Sequence, residues 1–139
     1  MADIALVTAN TLRVVESIEQ MTLPSAEAVV AGAPVRLDTT SGKFTNANGS
    51  SAGEARAYGI ATRTVVANEP LTAVAVGVVD GLDVSALAFD AALYLSNTDG
   101  RIADAAGTVS TIVGRVIPAT GANLSASAYD KIVRVKFPL

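Results

Sequence analysis

Carboxylates are the first residues to examine for chemistry. Asp80 and Asp83 flank Gly81-Leu82, a spacing that could pair two carboxyl groups for general acid–base work. The same residues also read as a strand-ending turn followed by a helix N-cap at Asp83. Asn97, Asp99 and Gly100 are laid out like the opening of a calcium loop, but the later ligands and the closing Glu do not follow. Asp38 to Gly42 repeats that layout with a single acid, so a hairpin turn is the simpler reading of both. Serines are plentiful, yet there is no Gly-x-Ser-x-Gly elbow, and the chain has 0 His and 0 Cys. Thiolate nucleophiles, imidazole bases, Cys/His zinc sites and disulfides are therefore excluded. Lys43 and Arg101 each follow a turn glycine without forming a phosphate loop, and Tyr58, Tyr94 and Tyr129 are too dispersed to stack bases. The inventory predicts no enzyme, no cofactor and no metal.

What remains must be explained by packing. The chain has 139 residues, enough for one domain with a sizeable core. It is 50% hydrophobic but only 4% aromatic, so its apolar weight lies in Ala, Val, Leu and Ile. Ten basic residues against thirteen acidic ones leave a net charge of −3. Arg13, Arg36, Lys43, Arg56, Arg63, Arg101 and Arg115 are scattered singly, and only Lys131, Arg134 and Lys136 group together, so no nucleic-acid surface is expected. Met1-Ala2-Asp3-Ile4-Ala5-Leu6 lacks the features of a signal peptide. The longest apolar run, Leu71 to Val79, is interrupted by Gly77 and followed by Asp80, so no membrane-spanning helix is expected either. A mean hydropathy of +0.44 then points to a core or to an interface with other chains.

Period-2 alternation and turn residues dominate the elements that must carry this surface. Strands are expected at Leu12–Ile18, Pro34–Leu37, Lys43–Thr45, Ala57–Ala61, Arg63–Val66, Leu71–Val79, Leu93–Leu95, Arg101–Ala103, Thr108–Val113, Arg115–Ile117 and Lys131–Phe137. Leu71–Val79 is apolar on both faces and reads as a central strand. A single helical turn, Ser85–Ala88, is the only helix expected, and Ala119 to Tyr129 reads as a loop.

An internal repeat orders these pieces. Val35-Arg36-Leu37-Asp38-Thr39-Thr40-Ser41-Gly42-Lys43-Phe44 aligns with Leu93-Tyr94-Leu95-Ser96-Asn97-Thr98-Asp99-Gly100-Arg101-Ile102, and Tyr58-Gly59-Ile60-Ala61 aligns with Val113-Gly114-Arg115-Val116. Each copy is a strand, a turn ending in Gly and a base, a strand, a polar loop, and a strand with a central Gly. Two copies are too few for a solenoid. The expected fold is all-β: a compact β-barrel or sandwich-like domain, residues 12–139, built on two related hairpin units, preceded by a flexible N-terminal arm, residues 1–11.

Three stretches carry a resemblance. They are Val14 to Pro24 (VVESIEQMTLP), Gly32 to Phe44 (GAPVRLDTTSGKF), and Ala91 to Gly107 (AALYLSNTDGRIADAAG) with Val113-Gly114-Arg115-Val116-Ile117. Together they resemble the small capsid decoration (cement) proteins of tailed bacteriophages and prophages. The similarity spans residues 12 to 118, rests on turn-and-strand patterns, and is less distinct from Ala119 to Leu139. It implies a β-rich protein, made in the bacterial host cytoplasm, that binds the major capsid protein on the outer surface of the expanded head and strengthens the shell. It also implies self-association, most often as a homotrimer, and no catalytic residues.

Two segments are the candidate contacts on this reading: Ala2, Asp3, Ile4, Ala5 and Leu6 as a capsid-binding arm, and the polar loop containing Asn46, Asn48, Gly49, Ser50 and Ser51 as an exposed or inter-subunit loop. The rival reading is a non-catalytic β-module of a head fibre or of a surface adhesion or carbohydrate-binding protein. A hydrolase built on Asp80 and Asp83 stands third.

Overall fold

A computed structural model describes residues 2–119 and 131–138. Among these residues, alternating and β-branched runs give nine strands: β1 (Arg13–Pro24), β2 (Pro34–Leu37), β3 (Phe44–Asn46), β4 (Ala57–Ala61), β5 (Pro70–Asp80), β6 (Ala92–Leu95), β7 (Ile102–Ala103), β8 (Ile112–Pro118) and β9 (Lys131–Lys136). The described residues contain no helix. All nine strands join one antiparallel sheet in the order β3-β2-β4-β5-β9-β8-β6-β7, with β1 added on β5, and the sheet curls into a half-barrel. The doubly apolar run of β5 is central: it pairs with β1, β4 and β9.

The sequence repeat is a repeat in register. Leu37 pairs with Phe44 as Leu95 pairs with Ile102, and Val35 pairs with Gly59 as Leu93 pairs with Gly114. Both pairings contain a bulge at the same place, after Val35 and after Leu93. The turn glycines agree as well, Gly42 at φ 72° and Gly100 at φ 70°, and so do the left-handed residues before each hairpin, Gly32 at 83° and Asp90 at 65°. Farther on, Ile60 pairs with Val74 and Ala61 with Ala73, as Arg115 pairs with Arg134 and Val116 with Val133. Val76 faces its own counterpart, Lys136, across the β5–β9 pairing. An approximate two-fold axis therefore runs through that pair and relates β2–β5 to β6–β9.

The two units are buried differently. In the first, Val35, Phe44, Ala61 and Ala73 form a small core with Val29, Val65 and Leu71, covered by Met21 and Leu23 of β1 and by Tyr58. Its other face sends Ala57, Ile60 and Val74 into a larger core shared with Leu93, Leu95, Val116 and Val133 of the second unit. The first unit is thus buried on both faces. In the second, the counterparts of Ala57, Ile60 and Val74 are Ile112, Arg115 and Arg134, and all three are exposed.

Several elements differ from expectation. β1 runs on past Ile18 to Pro24, the proline expected to close this stretch, because β5 offers a partner along its whole length. Arg63–Val66 is not a strand: only Val65 bridges to Val29, and the chain then turns through Asn68 at φ 71°. Residues Thr108–Thr111 precede β8 rather than forming a strand, since Asn97 Oδ1 accepts the Thr108 N–H at 2.9 Å and Gly49 O accepts the Val109 N–H at 2.7 Å. Ser85–Ala88 is a turn and not a helix. The Asp83 carboxylate accepts the Ser85 hydroxyl at 2.7 Å, and the chain bends again at Asp90 before a second helical bond can form. Most of the expected loop Ala119 to Tyr129 lies outside the described residues.

Candidate interaction site

The N-terminal segment lies back on its own domain. Asp104 exchanges bonds with Ala2: the Ala2 N–H reaches Oδ1 at 2.8 Å, and the Asp104 N–H reaches Ala2 O at 3.0 Å. The Ile4 N–H donates to Ile102 O at 2.7 Å, so the segment covers the outer edge of β7. The buried Ser96 hydroxyl donates to Asp3 Oδ1 at 2.5 Å. Past this point the Asp83 N–H donates to Ala5 O at 2.8 Å and the Val7 N–H to Gly81 O at 2.7 Å. Ile4 and Leu6, half-buried, pack on the larger core.

The loop after β3 also turns inward. Asn48 and Gly49 are buried, whereas Ser50 and Ser51 are exposed. The Gly100 N–H donates to Ala47 O at 2.9 Å, and the Gly49 N–H donates to Ser96 O at 2.7 Å. These bonds bring the β3 end of the sheet to the β6–β7 hairpin. The Asn48 amide donates to Asp99 Oδ1 at 2.9 Å and accepts the Ser50 N–H at 3.0 Å, which explains why a polar residue is buried here. Gly49 has no room for a side chain: a Cβ would lie 2.9 Å from Leu95 O. Asn46 is tied to the preceding segment through its amide, which donates to Ala28 O at 3.2 Å. On the outer side, the hydroxyls of Ser50 and Ser51 donate to Glu54. The Ser50 bond is the first cause holding Glu54 below its ordinary 4.5. Asp38, in the turn of the first hairpin, is likewise lowered, chiefly by the Thr40 N–H.

Both candidate segments therefore converge on the β6–β7 hairpin, residues 95–104. Between them and residues 28–33 runs a cleft of about 590 Å³. Ile4, Leu6, Val30 and Ile102 are among its apolar lining residues, with Asn46 and Arg101 among the polar ones. Val30 is 49% exposed, so an apolar side chain is presented to solvent at this cleft.

The residues singled out for chemistry are held apart by their partners. Asp80 is buried beside Arg13, 3.4 Å from its guanidinium, whereas Asp83 is exposed and engaged in its turn. Asp99 binds Asn48. Tyr58 stacks at a tilt on Phe44, centroids 5.7 Å apart, and burial followed by the Glu19 charge raises its hydroxyl above the ordinary 10.0. Tyr94 is half-buried in β6, and Tyr129 lies outside the described residues. Among the described residues no three His, Cys, Asp or Glu side chains gather in a metal-binding group.

The arrangement offers backbone edges, small apolar side chains and amides, which are means of binding a surface. Sequence reasoning chose both segments but missed that both dock on the β6–β7 hairpin, because the pairing of residues 47–49 with the 96–100 turn joins distant parts of the chain. Compared with protein-family models, with curated proteins and with solved structures, the chain matches none.

Proposed function

We propose that this chain is a capsid decoration protein that binds the outside of an expanded phage head and stabilises it. One observation carries the reading: the three stretches that resemble such proteins fall on β1 and on the two duplicated hairpin units, the framework of the fold. On this reading the N-terminal segment and the cleft beside it face the major capsid protein, and copies of the chain associate, most simply as a homotrimer.

The energetics suit weak, repeated contacts. A shell offers many identical sites, and a linked oligomer that engages several gains about 10²–10⁴ over one contact. A ligand that binds only the expanded lattice stabilises it by about 2.7 kcal/mol per site at 100-fold excess over Kd. Co-sedimentation with cognate heads tests the proposal. Purified protein is expected to pellet with expanded, DNA-free heads and to stay in solution with unexpanded procapsids. Protein that ignores expanded heads at micromolar concentration overturns it.

A further inference from the structure

The open face of the second unit carries a charge pattern that crosses four strands. In cross-strand register, Arg115 on β8 pairs with Arg134 on β9, Arg134 with Val78 on β5, and Val78 with Glu16 on β1. The next row runs from Lys136 through Val76 to Glu19. Base, aliphatic and acid thus succeed one another across the sheet. The charged residues of both rows are exposed, Val76 and Val78 are half-exposed, and Ile18, between the two glutamates, is 69% exposed.

Arg115 is paired with Asp90 at 3.8 Å, whereas among the described residues Glu16, Glu19, Arg134 and Lys136 form no ion pair within the protomer. Neighbouring strands lie about 4.8 Å apart, so the backbones of Arg134 and Glu16, two strands apart, are roughly 10 Å from one another with Val78 between them. The duplication adds an independent observation. The positions of the first unit equivalent to Ile112, Arg115 and Arg134 are Ala57, Ile60 and Val74, and these are covered by the rest of the molecule. The second unit leaves the same face uncovered and basic, in a chain whose net charge is −3.

We propose that this face is a homotypic interface, in which Glu16 and Glu19 of one copy meet Arg134 and Lys136 of another. Its occupant is a second copy of the chain. The acidic strand and the basic strip are complementary, and Ile18, Val76 and Val78 supply the apolar ground between them. The inference rests on the self-association in the proposed function and names the surface responsible.

Solution mass by light scattering, with circular dichroism as a check on folding, tests it. The unaltered chain is expected to assemble at micromolar concentration in low salt and to weaken as salt is raised. Glu16→Lys with Glu19→Lys, and separately Arg134→Glu with Lys136→Glu, are expected to weaken assembly roughly 100-fold by placing like charges together. The chain carrying all four substitutions is expected to recover the oligomer. An assembled chain whose mass ignores both reversals, or a four-fold variant that stays monomeric, overturns this contact alone. An unaltered chain that is monomeric overturns the contact and the self-association together, while co-sedimentation with heads still decides capsid binding.

Discussion

Glycines report where this fold is tightest. Gly77 lies where β1 presses on β5: a Cβ there would sit 2.2 Å from the Glu16 carbonyl oxygen, with Val74 Cγ1 at 3.0 Å. The obstacle is backbone, so a larger residue must push the two strands apart. Gly77→Ala is therefore expected to destabilise by roughly 3 kcal/mol, the range of an overpacked core. Gly42 is the contrast, because its φ of +72° is left-handed and nothing lies within 4 Å of a Cβ. Gly42→Ala bears only the strain of that backbone region, about 1 kcal/mol. Urea titration of the two variants checks the order, and equal losses would refute the tight β1–β5 contact. The need for glycine at position 42 was legible from turn chemistry alone. The need at 77 was not, because it arises from a strand that packs there from 61 residues earlier in the chain (Glu16).

Elements with their own local grammar were the readable ones. The two hairpins announced themselves by a strand, a turn ending in glycine, and a return strand, and both appear with matching register. The middle of β1 was unreadable because Glu16 to Gln20 are all exposed, so no alternation survives there, and the register shifts three times between Val14 and Gln20. Arg63–Val66 misled in the opposite way, with β-branched residues that find no strand partner beyond Val65. For the candidate site, composition picked out both segments, yet polarity suggested an exposed loop where Asn48 is buried by bonds within the chain. The arm shows what such docking is worth. Removing residues 2–10 takes away the half-buried Ile4 and Leu6 and the bonds to Asp104, Ile102, Asp83 and Gly81. That deletion is expected to lower stability by about 2–3 kcal/mol while the β-type circular dichroism persists. An unchanged urea midpoint would mean that the segment contributes nothing to the fold.

At the scale of the molecule, the duplication raises the question of whether either unit is a domain. The register of each is complete within itself, β3-β2-β4-β5 and β9-β8-β6-β7, which argues for independence. The cores argue against it. The larger core draws Ile60, Val74 and Val79 from the first unit and Leu93, Leu95, Val116 and Val133 from the second, so parting the units exposes both sides at once. The β5–β9 pairing through Val76 and Lys136 would be lost with it, leaving β9 with β8 alone. Each fragment would also fall in the size range where burial barely offsets chain entropy. Residues 1–85 and 86–139, made separately, are therefore expected to lack cooperative unfolding, and mixing them is expected to restore β-type circular dichroism and a single transition. If 86–139 alone unfolded cooperatively, the second unit would be a domain in its own right, and its small-residue strands would be sufficient without the shared core. The basic outer face of that unit sharpens the expectation: Arg115 and Arg134 stand where the first unit has Ile60 and Val74, so the second unit has only one face on which to build a core.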